Sequence, residues 1–483
     1  MSIYSHIFEK GLCKNPEGIA FSCGEERYTY KQVEQRVREL VLQFHEVGIK
    51  KNSKVIIRIK HPLSFSFTLL ALTCMEAIPF PVYHGIGEDK LQYMCNKYDI
   101  NFVVAPIDSL SAVGSVKKEL DGVGSIYLVS GEIDDCLEGV SIILSTSGTT
   151  SLPKAIMLTG KNVCSNVEGI SDYLKLSKED NILLIKDLSH SSSIVGELFV
   201  GLYNGCEIVF TTRLLRVVTM LTLIQEHKIT VFFAVPTLLK ELMSYDKRDK
   251  YDLSSLRIIN FYGASMNSKD IMNLISVFPD TNIIYSYGQT EASPRVTYIE
   301  RDMLLSHPGA CGKPIRDVKI TIVDESDCEC PPNVQGEIVV EGPNVMRGYY
   351  RDEERTRNVL RGGKLYTGDM AFLDEDGFLH VTGRKDNMFT RAGKNIYPEE
   401  IENVLISHPD ILEALVEHVN KSDDVVDIIA YIVRKDNEEC EVSDLWNYCR
   451  LKLEDYKIPR QINVVKSLEK TPSGKILRNQ FKN

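Results

Sequence analysis

Through residue 291 the chain repeats one pattern. A short, bulky apolar run ends in a polar loop and is followed by a segment long enough for a crossover helix. Lys54-Val-Ile-Ile-Arg-Ile59, Phe102-Val-Val-Ala105, Ile182-Leu-Leu-Ile185, Val231-Phe-Phe-Ala-Val-Pro236, Arg257-Ile-Ile-Asn-Phe-Tyr262 and Asn282-Ile-Ile-Tyr-Ser-Tyr287 are the runs. Strands with so little polar alternation are buried on both faces, so helices must cover both sides of the sheet. This predicts an α/β architecture of mainly parallel sheets, with ligands beyond the strand C-termini. One helix is read in full: Thr29 and Gln32 form a capping box, Val33, Val37, Leu40, Val41 and Phe44 share a face, and Gly48 stops it. A chain of 483 residues has room for about three domains.

From about Val318 the texture changes. Val318-Lys-Ile-Thr-Ile-Val323 and Gly336-Glu-Ile-Val-Val-Glu341 alternate polar and apolar residues around Pro-Pro-Asn, which predicts an antiparallel hairpin. A β-rich subdomain is therefore placed at about 310–384, closing a large N-terminal domain of residues 1–384. Pro398 with Glu399 and Glu400 starts a helix, and residues 385–483 read as a small α+β domain.

Lys plus Arg number 56 against 67 Asp plus Glu, a net charge of −11, so a nucleic-acid surface is not expected. The stretch Phe65 to Val82 is broken by Glu76, Pro79 and Pro81, and no integral membrane segment is expected. Met1 to Lys10 lacks a basic start followed by an apolar core, so no secretory signal is read. The 12 cysteines are scattered, which suits reduced thiols and a cytoplasmic location.

Ser145-Thr-Ser-Gly-Thr-Thr-Ser-Leu-Pro-Lys154 sits between the apolar runs Val140 to Leu144 and Ala155 to Leu158, which predicts strand, mobile loop, strand. Hydroxyls, backbone N–H groups and one ammonium supply donors without negative charge, as a polyphosphate requires. Taken alone, the stretch is equally a Ser/Thr-rich surface turn, and Tyr287-Gly-Gln-Thr-Glu291 is more readily a capped turn than a cation site.

The Ser145–Lys154 stretch resembles the phosphate-loop signature of the adenylate-forming ligases: acyl-CoA synthetases, luciferases and peptide-synthetase adenylation domains. Ser151 stands where those families usually carry Gly. Gly263-Ala-Ser265, Tyr287-Gly-Gln-Thr-Glu291, Tyr366-Thr-Gly-Asp369, Gly383-Arg-Lys-Asp386, Asn395-Ile-Tyr-Pro398 and Gly474-Lys475 continue the resemblance over nearly the whole chain. It implies that the C-terminal domain is a mobile lid and that ATP is held by Thr146, Ser147, Gly148, Thr149, Thr150 and Lys154, by Gly263, Ala264 and Ser265 along the adenine, and by Tyr287 against the base. It further implies Thr290 at the α-phosphate, Glu291 on Mg²⁺, Asp369 and Arg384 on the ribose, Asp386 as hinge and Gly393 in a thiol tunnel. Lys475 would be the catalytic lysine, with His190 beside the carboxylate, and Ala392 departs from the commoner Gly or Ser.

By the same correspondence the acid pocket includes Ser191, Val195, Phe233, Asn260, Tyr262, Ser286 and Arg295. Arg295 is read as pocket wall, solvent-facing or a brace of the sheet. Ser191 stands where amino-acid-activating relatives carry an Asp, so an α-amino acid would lack its counter-ion, and the mixed lining suits a small or polar acid over a long alkyl chain.

The implied reaction is ATP-dependent activation of a carboxylic acid to its adenylate, then transfer to the pantetheine thiol of CoA. The alternatives are a stand-alone adenylation enzyme loading the phosphopantetheine of an acyl or peptidyl carrier protein, a luciferase-like oxidase, and a non-catalytic nucleotide-binding regulator.

Overall fold

The computed structural model describes residues 2–106, 114–120, 122–129, 137–146, 154–214, 216–264, 266–391, 394–422, 425–435, 441–470, 476–478 and 480–481. Its centre is a nine-stranded sheet. Strands Ile19–Cys23, Glu207–Phe210, Asn181–Leu184, Val231–Ala234, Ile258–Tyr262 and Asn282–Gly288 lie parallel in that spatial order. Antiparallel edges, Glu26–Thr29 on one side and Arg295–Glu300 with Lys313–Pro314 on the other, close it.

The second α/β sheet is more mixed than the sequence pattern predicts. Lys54–Ile57, Ile78–Pro81 and Phe102–Ala105 are parallel, but Gly124–Leu128 and Ser115–Leu120 run antiparallel. The helix Pro62–Cys74 is apolar on all sides and almost wholly buried, as expected for an element enclosed on every face. Thr29 caps Tyr30–Glu46 through a capping box with Gln32, and Thr159 does the same with Asn162 for Gly160–Leu174.

The Ser145–Lys154 stretch does not end a parallel strand. Val140–Thr146 and Lys154–Thr159 form an antiparallel hairpin, extended by Gly348–Tyr349 into a separate three-stranded sheet. An antiparallel pair can be joined directly by a short loop, whereas parallel neighbours need a crossover. The β-rich subdomain follows its prediction: Lys319–Val323 pairs antiparallel with Gly336–Glu341, which pairs with Lys364–Leu373, which pairs with Leu379–Arg384.

After residue 387 a smaller unit has its own apolar core. It contains the helices Pro398–Ile406 and Val442–Lys452 and a sheet of Ile411–Ser422, Val425–Arg434 and Gln461–Val464. No helix among the described residues is long and apolar enough to cross a membrane.

Candidate active site

The central sheet delivers Tyr287, Thr290 and Glu291 at the C-terminal end of its last parallel strand, and the β-rich subdomain brings Asp369 and Arg384 to meet them. Asp369 and Arg384 face each other across paired strands, the arrangement in which opposite charges stabilise a sheet. Arg384 Nη1 donates to Asp369 Oδ1 at 2.8 Å and to the Thr367 carbonyl at 3.1 Å. The Tyr287 hydroxyl donates to the other carboxylate oxygen at 2.5 Å. Burial, reinforced by the Asp369 charge, raises the Tyr287 pKa well above its ordinary value, so this phenol stays a donor. Gly368 sits at φ +71°, and a Cβ there would stand 3.1 Å from Arg384 Nη2.

Glu291 is 8% exposed. Its Oε1 accepts from the Tyr349 hydroxyl at 2.8 Å, and its carbonyl accepts from Met346 N–H at 2.9 Å. Tyr349 lies on the strand that pairs with Lys154–Thr159, and Lys154 Nζ lies 5.6 Å from the centre of its ring. The hairpin that carries the Ser/Thr-rich stretch is thereby tied to Glu291. Thr290 Oγ1 and Ser191 Oγ are 2.9 Å apart, which joins this region to the segment after Asn181–Leu184.

Among the described residues no three His, Cys, Asp or Glu side chains are grouped to hold a metal. A lone oxygen-donor carboxylate fits Mg²⁺, which keeps most of its waters and binds through one or two carboxylates plus substrate phosphates. Glu291 is the side chain that would hold it, and the ion would supply charge neutralisation on the phosphates. Tyr349→Phe removes the bond that orients this carboxylate. The Mg²⁺ concentration for half-maximal activity should rise about 10–100-fold, the usual effect of losing a ligand's supporting hydrogen bond; an unchanged Mg²⁺ titration would separate Tyr349 from the ion.

Beyond Ser191 lies a buried charged set that the sequence reading found only in part. Lys186 and Glu197 form an ion pair at 2.5 Å. Tyr262 donates to Glu197 and accepts from Lys186. The Arg295 guanidinium lies 3.7 Å from the centre of the Tyr262 ring and is 3% exposed. Of the three roles open to Arg295, facing solvent is thus excluded. Among the described residues its Nε and Nη2 have no hydrogen-bond partner, and neither has Glu197 Oε2. Burial lowers the Lys186 pKa to about 8 against the opposing pull of Glu197. Burial likewise lowers the His190 pKa, the nearby Asp187 charge opposing it.

Asn260 and Ser286, on neighbouring strands of the sheet, form a buried hydrogen-bonded group with Tyr173 of the helix Gly160–Leu174, while Val195 and Phe233 belong to the apolar core. Gly263 and Ala264 are exposed just beyond Ile258–Tyr262, and Asp386 is exposed in the short turn Lys385–Asn387. Ser147, Gly148, Thr149, Thr150, Ser265, Gly393 and Lys475, with Ser151 and Ala392, lie outside the described residues, and Thr146 is described in its backbone alone. The sequence reading missed Lys186, Glu197 and Tyr349. Glu197 had a signal, a single carboxylate inside Ile194-Val-Gly-Glu-Leu-Phe199, because a charge is rarely fully buried without a partner. Tyr349 had none.

A family model described as AMP-binding enzyme matches residues 8–350, and one described as AMP-binding enzyme C-terminal domain matches residues 400–475. A 2-succinylbenzoate–CoA ligase of Bacillus cereus is 29% identical over 482 residues, covering 97% of this chain and 95% of that protein. The putative acyl-CoA synthetase YngI of Bacillus subtilis is 33% identical over 340 residues, 70% of this chain and 62% of its own. Among solved structures, O-succinylbenzoate CoA synthetase (MenE) of Bacillus subtilis in complex with AMP superposes with a TM-score of 0.85 at 24% identity, covering 100% of this chain and 98% of that one. ATP-bound MatB of Rhodopseudomonas palustris gives 0.86 at 21%, covering 99% and 97%. These two structures share the fold from end to end. With both family models matched, and the first covering most of the sequence, the chain belongs to the AMP-binding enzyme family, the adenylate-forming enzymes that its motifs resemble.

Proposed function

We propose that the chain couples a small polar carboxylic acid to the thiol of CoA through an acyl-adenylate. The observation that carries this is the meeting of Glu291, Thr290 and Ser191 with the Tyr287–Asp369–Arg384 group beside the buried Lys186–Glu197–Tyr262–Arg295 cluster. In the first step a carboxylate oxygen attacks the α-phosphorus, the bond to the bridging oxygen breaks, and pyrophosphate leaves. In the second the thiol sulfur, having lost its proton, attacks the acyl carbon and AMP departs. Both reactants of the first step are anions, so binding and orienting them together is the main task. Thr146 to Thr150, Lys154 and Lys475 provide donors for the phosphates, and Asp369 and Arg384 hold the ribose. His190, kept largely neutral by its lowered pKa, lies beside the acid. Residues 1–384 and 385–483 act as two bodies that turn about Asp386, so that Lys475 serves adenylation and the Gly393 region serves thiolation.

The pocket's charges suggest the kind of acid. Lys186 and Arg295 outnumber Glu197, which leaves one buried positive charge and unpartnered guanidinium N–H groups. That supports an acid with a second anionic or strongly polar group, and the 2-succinylbenzoate handled by several relatives is of this kind. Pyrophosphate exchange with benzoate, malonate, succinate, 2-succinylbenzoate and octanoate, followed by mass spectrometry of products with CoA and with holo-carrier proteins, tests acid and acceptor together. Octanoate as the best acid, or a product on the carrier alone, would replace this reading.

Arg295→Met should raise KM for the preferred diacid about 10–100-fold, the effect of losing a charged hydrogen-bond donor, and leave KM for benzoate nearly unchanged. The preference should also weaken as pH rises through about 8, because Lys186 is charged below that value and neutral above it.

A further inference from the structure

The strand C-termini of both α/β sheets converge on one cavity. Lys54–Ile57 and Ile78–Pro81 end beside it in one sheet, Asn181–Leu184 and Glu207–Phe210 in the other, and its volume is about 180 Å³. Lys60, Phe65, His84 and Thr211 line it together with residues 184–189, the first part of the turn that carries His190. That turn is therefore not packed on its cavity side, and an unfilled side supplies no dispersion contacts to hold a backbone in place. Its position is left to polar contacts.

Asp187 supplies them. Its Oδ1 accepts from the Ser189 N–H at 2.8 Å and from the Ser189 hydroxyl, an Asx-turn in which a side chain fixes the backbone two residues on. Its Oδ2 lies 3.3 Å from His84 Nδ1, so the turn is tied across the seam between the sheets to the loop after Ile78–Pro81. The Asp187 carbonyl accepts from His190 N–H at 3.5 Å. On the other side of His190 the chain is anchored independently. Ile194 N–H donates to the His190 carbonyl at 3.0 Å, and Ser191 Oγ and Thr290 Oγ1 are 2.9 Å apart. His190 thus stands between two anchors, and Asp187 is the one beside the cavity. The Asp187 and His84 side chains are 28% and 30% exposed, so truncating either removes little core packing.

We infer that Asp187 is a positioning residue for His190: by closing the Asx-turn and holding His84 it fixes the imidazole beside the carboxylate of the acid. The inference rests on the reading that His190 lies beside the acid. Asp187 itself touches no reactant. Among the described residues its carboxylate bonds only to Ser189 and His84, and not to Tyr287, Glu291, Asp369 or Arg384. Its influence therefore falls on the acid and not on ATP.

The test is steady-state pyrophosphate exchange by the full-length protein with the acid selected by the panel. Asp187→Ala should lower kcat/KM for the acid about 10–100-fold, as expected when a group at the reacting atoms is misplaced by up to 1 Å, and leave KM for ATP within about twofold. Asp187→Asn keeps an acceptor for the Ser189 N–H and favours the same turn, so it should stay close to wild type. His84→Ala should repeat the acid-selective loss more weakly, and it carries the test if Asp187→Ala is not recovered folded. Because Asp187 acts through His190, the double variant Asp187→Ala with His190→Ala should be no slower than His190→Ala alone, the non-additivity of residues that work as one unit. Unchanged kcat/KM for the acid in Asp187→Ala and His84→Ala, an equal loss toward acid and ATP, a loss in Asp187→Asn as large as in Asp187→Ala, or additive losses in the double variant would overturn the positioning role. His190→Ala separates the two claims: if it loses activity toward the acid while Asp187→Ala keeps it, only the positioning fails, and if it keeps activity, the reading of His190 fails first.

Discussion

Lys475→Ala will lower acid-dependent pyrophosphate exchange by about 10²–10³-fold, the range for removing one preorganised donor from a developing anion. Thioester formation from a supplied acyl-adenylate will stay close to wild type. The physical reason is the meeting of two anions. A carboxylate oxygen approaches a phosphorus surrounded by negative oxygens, and an ammonium bridging the two groups is worth most when both charges are crowded together. Once the adenylate exists, the acyl carbon is already an electrophile and the leaving group is a stable phosphate monoester. On the proposed reading the same ammonium would then contribute little to the attack of the thiol. Near-wild-type exchange in this variant would remove Lys475 from the reaction.

Asp386→Pro should have the opposite signature. Proline fixes φ near −65° and restricts the residue before it, so both Lys385 and position 386 lose the freedom a swivel needs. Asp386 is exposed in the turn Lys385–Asn387, and its carboxylate reaches Arg384 only at 3.7 Å. The substitution therefore removes little packing. Exchange should be retained, while thioester formation falls on the order of 10²-fold because the thiol cannot be aligned. A parallel loss in both steps would place the hinge elsewhere. Together the two variants would cut the proposed cycle at different points, the first at adenylation and the second at thiolation.

Much of this architecture was legible because local chemistry and global fold agreed. Thr29 with Gln32, Pro398 with two glutamates, and the alternation around residues 319–341 each specify their element within a few residues, and the structure keeps all three. The Ser145–Lys154 strands were also legible, but not their setting. The pairing of Tyr349 with Ile156 joins residues nearly two hundred positions apart, and no periodicity within either segment records it. The antiparallel turn of Gly124–Leu128 was hidden for a related reason: a strand buried on both faces reads the same in either direction. Among the residues brought together, Asp369 and Arg384 were visible as motifs, whereas Tyr349 meets Glu291 only through the pairing of distant segments. Glu197 lay between these cases, visible as a charge out of place but with Lys186 and Tyr262 unidentifiable as its partners.

The Asp369 carboxylate already has both oxygens engaged, one by Tyr287 and the other by Arg384. Each of these oxygens can accept a second hydrogen bond, so on the proposed reading the two ribose hydroxyls would join the resident donors without displacing them. A 2′-deoxy or 3′-deoxy nucleotide would then forfeit one hydrogen bond to a charged acceptor, about 1.5–3 kcal/mol, while Tyr287 and Arg384 keep the carboxylate oriented.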